Sequence, residues 1–242
     1  MIARSLLTGF TLASLLISAM PARGQIVNGS FETPTVPNGG FTGFLNGSTA
    51  ITGWTVVGAD VAIISGTFMQ SGITFQAQSG AQWLDLSGTQ SNTPSTGVRQ
   101  LVSTVTNQVY ALNFYVGSTT GGGSFFPATV DLSINGGART SYFNPTGPSN
   151  MLDWKLFTVE FTATSPTTDI TFFNGSASNN FSTGLDNVSL TAVAVPEPSS
   201  IFLGLLGLGT VGVVIRTHRK KSRLRRKHLK STNRVTTITA TQ

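Results

Sequence analysis

The stretch that decides the fold is Ala128 to Ile134, with the sequence ATVDLSI, which ends at the turn residues 135–137 (NGG). Apolar side chains at positions 128, 130, 132 and 134 alternate with Thr129, Asp131 and Ser133. Side chains of a strand point to opposite faces at alternate positions. This segment therefore predicts a β-strand with one buried face and one wet face, as in antiparallel sheets.

The same alternation recurs along the chain at Tyr110 to Val116, Phe157 to Phe161 and Val188 to Ala192. Turn clusters of Gly, Asn, Ser and Thr separate these runs, and no amphipathic helix interrupts them. Residues 25–193 are thus predicted to form an all-β domain, an antiparallel β-sandwich of the jelly-roll type. Gly117 to Ser124 is too rich in glycine for a strand and is predicted to be a mobile loop.

Charge is distributed very unevenly along the chain. The net charge of +6 comes from Arg216 to Arg234, which holds ten basic residues and no acid. Gln25 to Val195 holds three basic residues and eight acidic ones, so its net charge is 3 − 8 = −5. The part of the chain that is large enough to fold therefore lacks a basic face, and no nucleic-acid partner is expected.

The chemistry of the presumed domain is restricted by what it lacks. The chain has no cysteine, and both histidines, His218 and His228, lie in the basic tail. Disulfides, thiol or Ser-His-Asp catalysis and the usual zinc sites are therefore excluded from residues 25–193. A carboxylate pair of the glycosidase kind remains as an enzymatic alternative, although spacing does not indicate which of the eight acids converge.

The N-terminus has the order of a secretory signal peptide. Arg4 precedes an apolar run from Leu6 to Ile17, which is followed by the small residues Ala22 and Gly24. We predict a signal peptide over residues 1–24, cleaved before Gln25, with cleavage after Ala22 as the alternative. A retained N-terminal anchor is disfavoured because the run is shorter than a membrane span of about 20 residues.

The C-terminus predicts a single short transmembrane helix. Residues 194–200 form a linker that contains Val195, Pro196, Glu197 and Pro198, and residues 201–215 are uncharged. At 1.5 Å per residue this segment covers about 22 Å, a minimal span. The basic residues 216–242 should stay in the cytoplasm by the positive-inside rule, so the domain before Pro196 lies outside the inner membrane.

This three-part order resembles the PEP-CTERM sorting signal, over about residues 194–227. The resemblance implies recognition by an exosortase in the membrane of a Gram-negative bacterium. It also implies removal of the segment near Pro196, after a membrane-anchored precursor stage, and delivery to the cell surface or the medium. The chain departs from the family by continuing from Lys230 to Gln242 beyond the basic cluster.

The presumed domain itself resembles the choice-of-anchor C group, which is similar to galactose-binding-like jelly rolls that include carbohydrate-binding modules. The motifs that carry this resemblance include 28–32 (NGSFE), 51–54 (ITGW), 83–88 (WLDLSG), 97–100 (GVRQ), 110–114 (YALNF) and 184–188 (GLDNV). By this resemblance Glu32 and Asp186 would be side-chain ligands of a structural Ca²⁺, which prefers oxygen ligands. The alternative is that Asn28 and Gly29 form a turn and that Asp186 is a hydrogen-bonding residue at a strand end. Asp60 departs from the family pattern and receives no role.

Sugar recognition needs flat aromatic faces beside amide and carboxylate groups. Trp54 and Trp83 lie inside strand motifs and are predicted to belong to the core. The candidate ligand-binding residues are Trp154, Phe125, Phe126 and Tyr142.

The function expected from the sequence is that of a non-catalytic, exported β-sandwich that associates with extracellular polysaccharide or matrix. A structural or adhesive envelope protein without sugar binding is the alternative, and a glycoside hydrolase is a distant third. The expected partners are the membrane, an exosortase-type protease and exopolysaccharide.

Overall fold

The structure of the protein is a computed structural model that describes residues 25–89, 93–118, 127–145, 150–176 and 182–194. The predicted signal peptide, the sorting residues 195–198, the transmembrane segment and the basic tail lie outside these residues. Among the described residues, no helix has the length and apolarity needed to cross a membrane. The compact unit that contains the strands ends at Ala194.

Thirteen strands are seen in the described part of the chain. They are β1 (Phe41–Leu45), β2 (Thr55–Val57), β3 (Asp60–Ser65), β4 (Met69–Gln70), β5 (Ile73–Thr74), β6 (Gln82–Asp85), β7 (Gly97–Ser103), β8 (Val109–Ser118), β9 (Ala128–Ile134), β10 (Thr140–Asn144), β11 (Asp153–Thr162), β12 (Thr167–Asn174) and β13 (Gly184–Ala192). The alternating run from Ala128 to Ile134 coincides with β9.

The strands form two main sheets and one small hairpin. The six-stranded sheet has the order β1-β3-β6-β13-β8-β11, and the five-stranded sheet has the order β10-β9-β12-β7-β2. Neighbouring strands are antiparallel throughout both sheets. The predicted antiparallel sandwich is confirmed.

The main core lies between the two sheets and is built from the inward half of each alternating strand. Phe114 of the six-stranded sheet meets Phe172 of the five-stranded sheet edge to face, with 5.0 Å between ring centroids. Trp54 is also in this core and is 1% exposed, as the sequence predicted. Burying each such ring stabilises the fold by about 1.5 to 3 kcal/mol, and a chain without cysteine depends on such burial in place of disulfides.

A second hydrophobic cluster covers the outer face of the six-stranded sheet. The strands β3 and β6 are buried on both faces, because Val61 and Ile63 enter the main core whereas Ala62 and Ile64 point to the other side. The outer residues, together with Trp83, are covered by the β4-β5 hairpin and by Phe75. Trp83 is fully buried here, which confirms its prediction as a core residue.

One predicted loop is partly a strand. Gly117 and Ser118 belong to β8, and Gly117 pairs with Gly184 of β13. The indole of Trp154 lies flat against both glycines, since a Cβ on Gly117 would come within 2.7 Å of the ring and one on Gly184 within 2.9 Å. Glycine is therefore used here because an aromatic ring approaches the backbone closely, and the prediction of a loop at these two positions was wrong.

Candidate functional site

A cleft of about 160 Å³ opens on the outer face of the six-stranded sheet, beside the second hydrophobic cluster. Its floor is formed by residues of β3 and β6, one side by β1 and the β4-β5 hairpin, and the other side by the turn after β6. The lining residues are Phe41, Ala62, Ile64, Phe68, Gln70, Phe75, Trp83, Asp85, Gly88, Thr89 and Ser182. This volume is much larger than one water molecule occupies.

Asp85 is the carboxyl group of the cleft, and it is only 5% exposed. Its Oδ1 atom accepts three hydrogen bonds, from the amide of Ser87 at 2.9 Å, the hydroxyl of Ser87 at 2.6 Å and the amide of Thr183 at 3.1 Å. Its Oδ2 atom has no hydrogen-bond partner among the described residues. The cleft thus contains a fixed carboxyl group with one oxygen left for a ligand.

The environment of Asp85 favours the neutral acid. Burial raises the pKa of Asp85 to about 7, against an ordinary value of 3.8. The hydrogen bonds from Ser87 and Thr183 lower the pKa, and the negative charge of Asp60 raises it further. Near neutral pH the carboxyl group is therefore present in both forms, so that Oδ2 can donate or accept a hydrogen bond.

Asp60 lies close to Asp85 but has a structural role. It is 3% exposed, and its Oδ2 atom accepts the amide of Thr89 at 2.6 Å and the hydroxyl of Thr89 at 2.9 Å. A Cβ on Gly88, whose φ is +71°, would come within 2.7 Å of the Asp60 carboxyl carbon. Asp60 therefore holds the turn that forms one wall of the cleft, and it does not line the cleft.

Aromatic rings form the opposite wall. Phe41 is 49% exposed at the rim and meets Phe68 edge to face, with 5.5 Å between ring centroids. Phe68 contacts Phe75, and Phe75 stacks on Trp83 at 6.3 Å. The indole of Trp83 donates to the carbonyl of Phe75 at 2.8 Å, which fixes this wall to the sheet. The cleft thus combines mostly apolar walls and floor with the carboxyl group of Asp85, the combination that small-ligand sites use.

A second pair of acids, Glu32 and Asp186, converges on the segment before β6. Glu32 Oε1 accepts the amides of Ala81 at 2.9 Å and Gln82 at 3.1 Å. Asp186 Oδ2 accepts the amides of Gln78 and Ser79, each at 2.9 Å. The two carboxylates therefore fasten one loop to the sheet from two sides.

The charges and unoccupied oxygens of Glu32 and Asp186 decide whether the pair could hold a cation. Burial raises the pKa of Asp186 to about 7, and the charge of Glu32 raises it further, so the two groups repel each other. Glu32 Oε2 accepts no hydrogen bond from the described residues, and it remains a candidate ligand oxygen. Both oxygens of Asp186 accept backbone amides, Oδ1 that of Asn187 at 2.7 Å, so Glu32 Oε2 is the one oxygen of the pair that could take a hard cation such as Ca²⁺ without losing a hydrogen bond from the described residues. A group of three or more His, Cys, Asp or Glu side chains suited to a metal does not occur in the described ranges.

The turn at Asn28 and Gly29, which the sequence offered together with a hydrogen-bonding Asp186 as the alternative to a calcium site, is present beside this pair. Asn28 has a φ of +54°, and its side-chain amide donates to the carbonyl of Thr33 at 2.7 Å. A Cβ on Gly29 would come within 1.9 Å of the carbonyl oxygen of Val188 in β13. The turn is therefore packed directly against the strand that carries Asp186.

Of the predicted ligand-binding aromatics, Trp154 and Tyr142 do not line the cleft. Trp154 is half-buried on β11, where its indole donates to the carbonyl of Gln76 at 3.0 Å and meets Trp83 edge to face. Tyr142 is half-buried on β10 and packs against Phe114, with 5.1 Å between ring centroids. Phe125 and Phe126 lie outside the described residues.

Sequence reasoning missed the residues that form the cleft. Asp85 lies in the run Leu84, Asp85, Leu86, and an acid inside an apolar strand is a signal for a buried carboxyl group. Phe41 and Phe68 gave no such signal. They lie on β1 and just before β4, and only the covering of β3 and β6 by the hairpin brings them to Asp85.

Comparison with known families shows to which family the chain belongs. The family described as "Protein of unknown function (DUF642)" matches residues 24–191, more than half of the chain, and the protein therefore belongs to that family. The PEP-CTERM protein-sorting motif matches residues 194–220, which confirms the resemblance seen in the sequence. The protein is thus a sorted, exported cell-surface protein. No curated protein matches the chain.

Solved structures similar to this chain include carbohydrate-active proteins. One is an exo-β-1,3-galactanase from Phanerochaete chrysosporium, with 20% identity, a TM-score of 0.37 and coverage of 62% of this chain and 29% of that chain. A family 35 carbohydrate-binding module from Clostridium thermocellum has 12% identity, a TM-score of 0.35 and coverage of 62% and 98%.

A third is a structure of Clostridium thermocellum xylanase 10B modules, with 12% identity, a TM-score of 0.41 and coverage of 74% and 30%. The chain thus spans less than a third of the galactanase and of the xylanase structure. With TM-scores below 0.5, these likenesses transfer neither binding nor activity to this chain.

Proposed function

We propose that this exported surface protein binds a sugar unit of extracellular polysaccharide in the Asp85 cleft. The observation that carries the proposal is the free Oδ2 atom of Asp85 on the floor of a cleft whose rim is the half-exposed ring of Phe41. A sugar ring presents C–H groups that pack on an aromatic face and hydroxyl groups that pair with a carboxyl group. Thr89, Gln70 and Ser182 add further polar groups around the same cleft.

The test compares two phenylalanines that are almost equally exposed. Phe41 on β1 is 49% exposed and lines the cleft, whereas Phe143 on β10 is 48% exposed and lies on the other sheet. The purified protein would be screened against neutral and acidic oligosaccharides, and affinities measured by calorimetry. Phe41→Ala should weaken binding at least tenfold, about 1.4 kcal/mol, and Phe143→Ala should leave it unchanged. Equal effects of the two substitutions, or no binding by the unaltered protein, would contradict the proposal.

The cleft is proposed to bind without catalysis. Hydrolysis of a glycosidic bond needs two carboxyl groups that flank the substrate. Asp60 is the acid coupled to Asp85, but it is buried under Thr89 and occupied by the hydrogen bonds from that residue. A single available carboxyl group supports binding better than hydrolysis. Release of reducing ends from any bound polysaccharide would overturn this part of the proposal.

An adhesive or structural role is the second candidate, and the sheet edges favour it. The edge strands β1, β10 and β11 each carry an exposed apolar side chain, namely Leu45 at 67%, Phe143 at 48% and Leu156 at 49%. Exposed edge strands with apolar side chains promote association between sheets. Sedimentation velocity over a range of protein concentrations would detect self-association. A monomer at all concentrations would remove this candidate.

Export is proposed to follow the route implied by the two ends of the chain. The signal peptide of residues 1–24 would direct export across the inner membrane of a Gram-negative cell, and the segment 201–215 would anchor the precursor. An exosortase would then act near the sorting residues 195–198. The match of the sorting motif to residues 194–220 supports this order of events. Intact mass of the protein from native cells is the test, and a mass that retains residues 201–242 would contradict processing.

A structural Ca²⁺ is proposed at the acid pair. Glu32 and Asp186 would hold the ion, which would supply positive charge and neutralise the repulsion between the two carboxylates. The ion would thereby stabilise the loop from Gln78 to Gln82 against the sheet, without taking part in sugar binding at the cleft. Calorimetric titration with Ca²⁺ tests the site, and binding that survives Glu32→Gln would place the ion elsewhere.

A further inference from the structure

We infer that the Asp85 cleft accepts neutral, hydroxyl-bearing sugar units and rejects units that carry a carboxylate. The inference rests on the proposed function of the cleft and adds the class of sugar that it selects. It follows from the charges around the cleft, which can be counted completely because every basic residue between positions 25 and 194 is described.

Among the residues that the structure describes, none that lines the cleft carries a positive charge. Its polar members are Gln70, Asp85, Thr89 and Ser182, and the other lining residues are apolar or glycine. A carboxylate ligand is held in proteins by arginine, lysine or a set of backbone amides. None of the lining side chains supplies such a cation.

The cleft instead contains one acid and lies next to a second. Asp85 lines the floor, and the charge of Asp60 acts on Asp85 from beneath the neighbouring turn. Both acids are at least nine-tenths buried, so their fields are weakly screened by solvent. A bound uronic acid would therefore face the charge of Asp60, and that of Asp85 as well when Asp85 is ionised, in a poorly solvated site.

The three basic residues of the domain are held elsewhere. Arg99 forms an ion pair with Asp169 on the five-stranded sheet, with 3.0 Å between Nε and Oδ2. The guanidinium of Arg139 lies 3.5 Å from the ring centre of Phe173 and donates to a backbone carbonyl. Lys155 lies on β11, the far edge of the six-stranded sheet from β1, and donates to the carbonyl of Phe143. None of them lines the cleft.

Sugar hydroxyl groups can form hydrogen bonds with Asp85 in both protonation states of its carboxyl group. The ionised carboxyl group accepts a hydroxyl proton, and the neutral acid donates its proton to a hydroxyl or ring oxygen. A neutral sugar can thus pair with Oδ2 over a wide pH range. A carboxylate on the ligand could pair only with the protonated form, and Asp60 would still oppose it.

The experiment uses pairs of oligosaccharides that share ring stereochemistry and differ in the carboxylate. Suitable pairs are galactan with galacturonan, glucan with glucuronan, and mannan with mannuronan. Affinities would be measured by calorimetry on the full chain, in about 0.5 M salt to suppress attraction of acidic sugars to the basic tail. The part of binding that Phe41→Ala removes is assigned to the cleft.

At least one neutral sugar should bind through the cleft at least tenfold more tightly than its acidic counterpart. The substitution Asp85→Asn keeps the shape of the side chain and removes its charge. In this variant the ratio of the neutral-sugar affinity to the acidic-sugar affinity should fall at least threefold. Cleft-dependent binding of an acidic sugar as tight as its neutral counterpart would overturn the inference and leave the proposed function standing. Absence of any cleft-dependent binding would overturn both. An unchanged ratio in Asp85→Asn would show that its charge is not the basis of selection.

Discussion

Replacement of Asp85 by asparagine should remove a large part of the pH dependence of the folding stability. Asparagine keeps an oxygen that can accept the hydrogen bonds from Ser87 and Thr183, so the substitution changes the charge with little change in packing. The unaltered protein should be more stable at mildly acidic pH than at alkaline pH, because burial favours the protonated carboxyl group. The Asp85→Asn variant should lack the part of this pH dependence that comes from the Asp85 carboxyl group.

The direction and size of this change in folding stability follow from the pKa of Asp85, which folding raises from 3.8 to about 7. The stabilisation from its proton is fully present below the unfolded pKa and is lost as the pH rises through the folded pKa. Between about pH 5 and about pH 8 the loss amounts to roughly 2 to 3 kcal/mol, because each pH unit between the two pKa values is worth about 1.4 kcal/mol. The pKa of Asp186 is raised in the same way and adds a loss of the same direction.

Urea denaturation at the two pH values, in the presence of a chelator, measures both contributions. The free energy of unfolding should fall by roughly 4 to 6 kcal/mol in the unaltered protein, by about half as much in Asp85→Asn or Asp186→Asn, and little in the double variant. If Asp85→Asn lost as much stability between the two pH values as the unaltered protein, Asp85 would not be a buried acid with a raised pKa.

Two further predictions concern the region around the turn at Asn28. Gly29→Ala should destabilise the fold by about 1 to 3 kcal/mol or more, because its Cβ would overlap the carbonyl of Val188. Gly40→Ala is the control, since its Cβ would lie 3.4 Å from its nearest neighbour, and it should change the free energy of unfolding little. Urea denaturation measures both. A destabilisation by Gly40→Ala as large as that by Gly29→Ala would contradict this reading. Ca²⁺ at a hundredfold excess over its dissociation constant should stabilise the protein by about 2.7 kcal/mol, measured as a rise in Tm. The rise should vanish in Glu32→Gln, and an equal rise in that variant would exclude the proposed ligand.

The class of fold was predictable because alternation is a local property of the sequence. The run from Ala128 to Ile134 predicted β9 with the correct ends, and its inward residues enter the core between the sheets. The same reasoning failed at Gly117 and Ser118, where glycine content indicated a loop. A distant residue, Trp154, needs the space above Gly117, and no local pattern reports that contact.

The acid pairs mark the limit of sequence reasoning about the site. The convergence of Glu32 and Asp186, 154 positions apart, was expected only through family resemblance. The coupling of Asp60 with Asp85 was not foreseen, because spacing along the chain does not show which strands become neighbours. The pairing of β3 with β6, which sets Ala62 beside Asp85, brings the two acids together.

The sequence by itself determined the sorting motif, the all-β class and the absence of cysteine and histidine from the domain, because these depend on composition, residue order and local periodicity. The tertiary structure alone decided where a ligand can bind. A cleft forms only when the β4-β5 hairpin packs across the buried outer face of β3 and β6, and so places Phe41 and Phe68 opposite Asp85. The raised pKa of Asp85 has the same origin, since burial by residues far apart in the chain removes water from its carboxyl group.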